Sequence, residues 1–331
     1  MLIIDQNTVE RLLPMPACIE LMRDTLAALA RGDAVLPLRT VLKIPDGAFA
    51  VMPAYLGTPP TIGAKIITVF PRNHGTAFDS HQGAVLLFDS DNGSLVAVMD
   101  ATSVTTIRTA AVSGVATQVL ARDDASSLAI LGAGVQGHSH LEAMCAVRSI
   151  KTLHVWSRSS EHARRLADVG RERFQLDSHV MSMAEDAVRG ADIVCTTTSS
   201  SEPVLHGDWL APGAHINAVG ASQPHAREVD TRAVVRSRLY TDRRESALKE
   251  PGDVIVPLHE GAITPEHIVG EVGEVVIGRV VGRRNADEIT MFKSLGLAIE
   301  DLASAAHVYA EARRQGAGVD VELGGARSAA H

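Results

Sequence analysis

Cysteine is scarce in this chain: three in 331 residues, Cys18, Cys145 and Cys195, far apart and odd in number. That excludes a disulfide framework and fits a reducing compartment, with each thiol packing as a small apolar group. Long hydrophobic runs are missing as well, and none approaches the length that spans a bilayer. The opening stretch Met1-Leu-Ile-Ile-Asp5 has no basic region followed by an apolar core and a cleavage site, so no signal peptide is expected. These absences predict a cytoplasmic protein with no membrane partner. Positive charge is in deficit, with a net charge of −8, and no basic run is interleaved with the few aromatics. Nucleic acid is therefore excluded as an expected partner. The 14 histidines lack metal-ligand spacing. His138 and His140 are two apart, so they face apart on a helix, and His259-Glu260 lacks the second histidine of a zinc helix. No metal is expected, and no internal repeat is evident.

What is present is an ordinary globular composition, 46% apolar and 21% charged. The length is too great for one ordinary core and predicts two domains. Residues 8–31 carry helical periodicity. From Leu36 to Met99 short β-like runs alternate with turn residues, and Asp89-Ser-Asp-Asn92-Gly93 is a hairpin-turn signal. Asp100 to Leu120 reads as a helix with a face of small residues. After Asp124 strands and helices alternate, which implies a parallel sheet. Strands are expected at Leu128–Leu131, Thr152–Trp156, Ile193–Thr197, Ala214–Ala218 and Arg238–Thr241. Met291–Arg314 reads as helical, and the Gly- and Ala-rich tail from Gln315 is expected to fray.

The most informative segment is Leu128-Ala-Ile-Leu-Gly132-Ala-Gly134-Val-Gln-Gly137. A buried strand runs into a glycine turn and then a helix. The first glycine permits the turn, the second lets backbone approach a pyrophosphate, and the third lets helix and strand pack closely. Free N–H groups at the helix start then face the phosphates. This predicts dinucleotide binding on a doubly wound α/β sheet. The second strand ends in Ser157-Arg158-Ser159, with no carboxylate at its tip. A hydroxyl and a guanidinium suit a ribose 2′-phosphate, whereas a carboxylate would repel it. NADPH is therefore preferred over NADH, with Glu161 as the alternative ribose ligand. A later strand, Ala214-His-Ile-Asn217-Ala218-Val219-Gly220, ends in small residues that would let a nicotinamide lie close to Ser222.

Three basic residues stand in apolar or small-residue surroundings: Arg39, Lys65 and Arg108. Such cations are seldom placed there without a partner. If they converge they form a pocket for a carboxylate; otherwise they are unrelated surface charges. Met52 and Tyr55 are expected pocket walls. His81 precedes a strand near Lys65 and could shuttle a proton, or simply hydrogen-bond its neighbours.

Taken in order, Val51–Tyr55, Ala64-Lys65, Ser80–Gln82, Val98–Asp100, Arg108–Ser113, Leu131–Gln136, Pro212–Ser222, Ala247–Glu250, Gly252-Asp253 and Phe292–Asp301 resemble the ornithine cyclodeaminase/mu-crystallin family. The resemblance spans about residues 5–314. It implies a Rossmann domain (121–295) set inside a discontinuous substrate-binding and dimerisation domain (1–120 and 296–331, of which 315–331 is the frayed tail). It also implies a homodimer formed through the sheet, and a carboxylate-binding role for Arg39, Lys65 and Arg108. Cofactor contacts are implied at Thr109, Gly132, Gly134, Val135, Gln136, Gly137, Ser157, Arg158, Ser159, Ala218, Val219, Gly220, Lys293 and Ser294. Cyclodeaminases of the family place a catalytic aspartate where this chain has Ser222. A serine holds no negative charge near neutral pH and is a poor base on its own.

The resemblance therefore points to the family's ketimine and pyrroline-2-carboxylate reductases. The expected reaction is NAD(P)H-dependent reduction of a cyclic imino acid to L-proline or L-pipecolate, with Lys65, His81 and Ser222 as catalytic candidates. A cyclodeaminase with tightly bound NAD, an open-chain amino-acid dehydrogenase and a low-turnover binding protein remain as alternatives.

Overall fold

Side-chain parity along the strands organises the first part of the molecule. The computed structural model describes residues 1–73 and 75–324. They fall into two units, one of Met1–Leu21, Arg31–Arg108 and Leu297 onward, the other of Met22–Ala30 and Thr109–Gly296.

The first unit is built on strands β1 (Leu2–Ile4), β2 (Ala34–Val35), β3 (Thr40–Ile44), β4 (Gly47–Leu56), β5 (Thr61–Val69), β6 (His81–Phe88) and β7 (Leu95–Asp100). They run in the order β1-β7-β6-β5-β4-β2, with β3 also paired to β4. The β6–β7 hairpin uses the expected turn. The Asp89 carboxylate accepts from the Asp91 and Asn92 amides, and Gly93 takes a positive φ. Residues at alternate positions, such as Ala50, Met52, Ala54, Lys65, Val85 and Met99, are buried. The helix Ala298–Gln315 covers this face of β4 and β5. Gly63 permits the approach, since a Cβ there would meet the Leu302 side chain at 2.6 Å. The opposite face carries Phe49, Tyr55 and Ile62, which are 36–42% exposed.

The periodic stretch 8–31 is two helices, Gln6–Leu12 and Met15–Arg31. Pro14 has no N–H to continue the first, and its carbonyl accepts from Cys18 to open the second. The expected frayed tail is corrected in part. Val319–Asp320 pair antiparallel with β1, because that edge offers unpaired backbone groups. The rest of that expectation, from residue 325, lies outside the described residues.

The second unit holds β8 (Ser127–Leu131), β9 (Thr152–Trp156), β10 (Asp177–Val180), β11 (Ile193–Thr196), β12 (His215–Ala218), β13 (Arg238–Thr241), β14 (Ile268–Glu271) and β15 (Thr290–Lys293). They form one sheet in the order β10-β9-β8-β11-β12-β15-β13-β14, and every neighbouring pair is parallel. Fully buried residues such as Leu128, Ile130, Val194 and Ile216 give the continuous apolar strands of a sheet covered on both faces. The chain is thus an α/β protein with a doubly wound parallel sheet. Met291–Lys293, expected as helix, belongs to the interior strand β15. An apolar run with no clear period reads either way, and here burial between β12 and β13 decides. Among the described residues no helix is long and apolar enough to cross a membrane, and no group of histidine, cysteine or acidic residues could hold a metal.

Candidate active site

In the first unit the three predicted cations are drawn to one place. Lys65, on β5, is 3% exposed. Its ammonium lies 2.8 Å from Asp301 Oδ2 and 3.3 Å from Thr105 Oγ1. Arg108, on the helix Ala101–Leu120, donates through Nε to Asp301 Oδ1 at 2.9 Å and through Nη1 to Glu300 Oε2 at 2.8 Å. Arg39 is half-buried, and its charge acts on Lys65. Burial pushes the Lys65 ammonium down; Asp301 opposes this and Arg108 and Arg39 add to it, leaving a pKa of about 8. Burial raises the Asp301 carboxyl, but Arg108 and Lys65 together pull it below the ordinary carboxylate range.

Glu300 and Asp301 are absent from the sequence-based site. Their signal was a pair of acids inside the otherwise apolar run Leu295–Leu302, in the first turn of the final helix. That position is itself favourable, since the Leu297 amide donates to Glu300 at 3.1 Å.

Met52 pairs directly with Lys65 across β4 and β5, so it shares that buried face. Tyr55 does not. It is three residues beyond Met52 on a regular strand and therefore lies on the opposite face, which removes it from the expected pocket wall. His81 pairs with Val69 and Lys65 with Val85, so the histidine is about 13 Å along the sheet from Lys65. It is exposed, with Nδ1 3.0 Å from the Ser80 hydroxyl. The expected nearness of His81 to Lys65 is not found.

The second unit supplies the features a dinucleotide requires. Gly132 has φ of +106°, and a Cβ there would lie 2.8 Å from the Thr197 carbonyl group. Gly134, by contrast, has open space where a side chain would be. It also precedes the helix Val135–Val147, whose start receives no side-chain cap. Gly137 lets that helix pack against the Gly132 carbonyl. An open glycine beside uncapped helix N–H groups fits a pyrophosphate. β8 is where the order of strands reverses, the usual place for such a ligand at the carboxyl ends. Arg158 is exposed at the tip of β9. Ser159 caps the following helix by accepting from His162, and Glu161 pairs with Arg165 along that helix.

A buried ionic group ties the same strand ends together. Glu228 accepts from the Thr196 hydroxyl at 2.8 Å, from the Thr198 amide and hydroxyl at 2.5 and 2.7 Å, and from the Gly220 amide at 2.5 Å. Burial raises its carboxyl, with Lys293 acting against that and Asp253 with it. Asp253 accepts from the Glu228 and Val229 amides and pairs with Lys293 at 2.8 Å. Lys293, an expected cofactor contact, is fully buried, with its ammonium in this pair. Ser294 is also buried, with its amide on the Ala218 carbonyl, and Thr109 is buried on its helix. Ser222 is exposed in the loop after β12, and no acid occurs between Val219 and Arg227.

The sequence profile of the ornithine cyclodeaminase/mu-crystallin family matches residues 1–316. Ketimine reductase mu-crystallin of Mus musculus is 44% identical over 280 residues, covering 84% of this chain and 85% of that protein. The Δ1-pyrroline-2-carboxylate reductase of Thermococcus litoralis, solved with NADH and L-proline, superposes with a TM-score of 0.95 at 37% identity, covering 97% of this chain and 100% of the other. An archaeal alanine dehydrogenase dimer with bound NAD superposes with a TM-score of 0.93 at 31% identity, covering 98% and 99%. On the extent of these matches, the chain belongs to the ornithine cyclodeaminase/mu-crystallin family.

Proposed function

We propose that the protein is an NADPH-preferring reductase of cyclic imino acids, converting Δ1-pyrroline-2-carboxylate or Δ1-piperideine-2-carboxylate to L-proline or L-pipecolate. The observation that carries this reading is the gathering of Lys65 and Arg108 around the one carboxylate of Asp301, with the charge of Arg39 acting on Lys65. Buried cations fixed by acids are suited to hold the carboxylate of a small substrate without reorganising. A bound nicotinamide dinucleotide supplies the hydride. Arg39 and Arg108 orient the acid group, and Lys65 gives its proton to the imine nitrogen, so that the C=N carbon becomes electrophilic and the product is a secondary amine. A pKa of about 8 keeps Lys65 largely protonated at neutral pH yet able to release the proton.

The relatives' names support reduction of C=N bonds: one is a ketimine reductase, another was solved with NADH and L-proline. Ser222 and the acid-free loop around it disfavour the cyclodeaminase alternative. The test is nicotinamide oxidation by the purified protein with each cyclic imine, with pyruvate plus ammonia, and by proline release from ornithine. Turnover only with pyruvate or ornithine would overturn the proposal.

Cofactor choice has its own test. Arg158→Asp places a carboxylate where a 2′-phosphate would be read. The NADPH-to-NADH ratio of kcat/KM is expected to fall at least about tenfold, or 1.4 kcal/mol. An unchanged ratio would mean the phosphate is read elsewhere.

We also propose a homodimer formed by the sheet face bearing Phe49, Tyr55 and Ile62. An exposed apolar face of this kind is a partner surface, and a family relative is described as a dimer. Ile62→Glu is expected to shift the protein to monomer in sedimentation. A dimer undisturbed by that charge would place the interface on another face.

A further inference from the structure

Among the described residues, every group hydrogen-bonded to the Glu228 carboxylate donates to it. Its Oε1 takes the Thr198 amide and hydroxyl, and its Oε2 takes the Thr196 hydroxyl and the Gly220 amide. Two contacts on each oxygen fill the lone pairs of a carboxylate, and the two backbone N–H groups can only donate. Glu228 is itself held from behind: its amide donates to Asp253, and its carbonyl accepts from the Val204 and Leu205 amides. The two loops it joins are those that leave the carboxyl ends of β11 and β12. The first of them also meets the glycine turn. Thr197 donates through its hydroxyl to the Gly132 carbonyl at 2.8 Å, and the Thr198 methyl is 2.9 Å from where a Gly132 side chain would start. One buried carboxylate therefore fixes the Thr196–Thr198 segment, the Ala218–Gly220 segment and, through the first, the turn at Gly132.

We infer that Glu228 is a positioning residue for the dinucleotide: its carboxylate sets the shape of the strand-end cradle in which the cofactor lies. This rests on the reading that the second unit binds a nicotinamide cofactor. Asparagine or glutamine at this point cannot reproduce the clamp, because an amide nitrogen would face donors. An aspartate keeps the acceptors on a side chain shorter by one methylene.

The experiment is a fluorescence titration of NADPH and of NADH, without imine, on wild type, Glu228→Gln, Glu228→Asp and Thr198→Val. Glu228→Gln is expected to raise the Kd of the preferred dinucleotide about tenfold, with Glu228→Asp recovering part of the loss and Thr198→Val losing about threefold. In turnover the KM for the dinucleotide should rise while the KM for the imine stays within about twofold. A role confined to folding would instead lower Tm and the active fraction and leave the Kd of the folded protein unchanged, which would overturn the inference. Should Glu228→Gln fail to fold, an unchanged Kd in Thr198→Val would do the same. Dinucleotide binding that is normal in wild type and in every variant overturns the clamp alone. Failure of wild type to bind either dinucleotide overturns the cofactor reading with it.

Discussion

Arg108→Ala is expected to cost about 3–5 kcal/mol of folding stability and to abolish measurable imine reduction. The guanidinium separates two carboxylates that follow one another in the chain, Glu300 and Asp301, both essentially without solvent contact. Removing it leaves Glu300 without its 2.8 Å ion-pair partner and leaves Asp301 with Lys65 as its remaining close cation. Breaking a buried pair on one side is far costlier than never having buried it, because the remaining charge keeps its desolvation penalty. Arg108→Lys separates the two effects. It keeps the charge but loses the planar fork that reaches both acids and the proposed substrate carboxylate at once. For that variant kcat/KM with the imine is expected to drop about 10²–10³-fold, with a smaller shift in the denaturation midpoint. A midpoint unchanged in Arg108→Ala would contradict the structural claim, and an unchanged kcat/KM in Arg108→Lys would remove Arg108 from substrate binding.

The second large effect concerns Asp301, whose two oxygens are divided between Lys65 and Arg108. Asp301→Asn removes the charge that opposes burial at Lys65. The lysine, already at about 8, is then expected to titrate at least about one unit lower. If Lys65 protonates the imine, the alkaline limb of the kcat/KM profile moves to lower pH by the same amount, and activity at pH 8 falls correspondingly. A limb that stays in place would identify another proton donor.

Stability carries the same signature with a defined sign. The Lys65 pKa is about 8 in the folded chain against 10.5 for the free side chain. Between those values the unfolded chain binds more protons, so this one group's contribution to stability is least favourable below pH 8 and improves as pH rises through the window. In Asp301→Asn the window opens at lower pH and the loss is greatest in acid, measurable as a Tm difference between pH 6.5 and 9.

The parts of this site that could be read from sequence are those whose physics is local. A glycine with φ of +106° and another with no room requirement are announced by their own spacing after a buried strand. Lys65 and Arg108 stood out because charge in an apolar context demands an explanation. The explanation itself was non-local: the acids that hold Arg108 lie 192 and 193 residues further on, and no short-range pattern links them. Glu228 was invisible for the same reason, since its partners come from the ends of two other strands. Tyr55 shows the opposite failure. Its three-residue offset from Met52 was legible all along, and strand parity alone would have placed it on the far face. β15 was missed because a short apolar run without period says that it is buried but not in what conformation. The two units fall within a chain order that local patterns did suggest, with strand–helix alternation enclosed by a strand-rich opening and a final helix.

The long separation between Arg108 and its carboxylates has a consequence for how the molecule is made. Residues 109–296, which form most of the second unit, are synthesised in one uninterrupted stretch, whereas the first unit needs Leu297 onward. At roughly 5–20 residues per second, a nascent chain that has exposed Arg108 waits on the order of 10–40 s for Glu300 and Asp301 to follow. Until then Lys65 and Arg108 resist being withdrawn from water. Closure of the ion cluster is thus a late event in synthesis, because both of its acids follow the whole stretch 109–296.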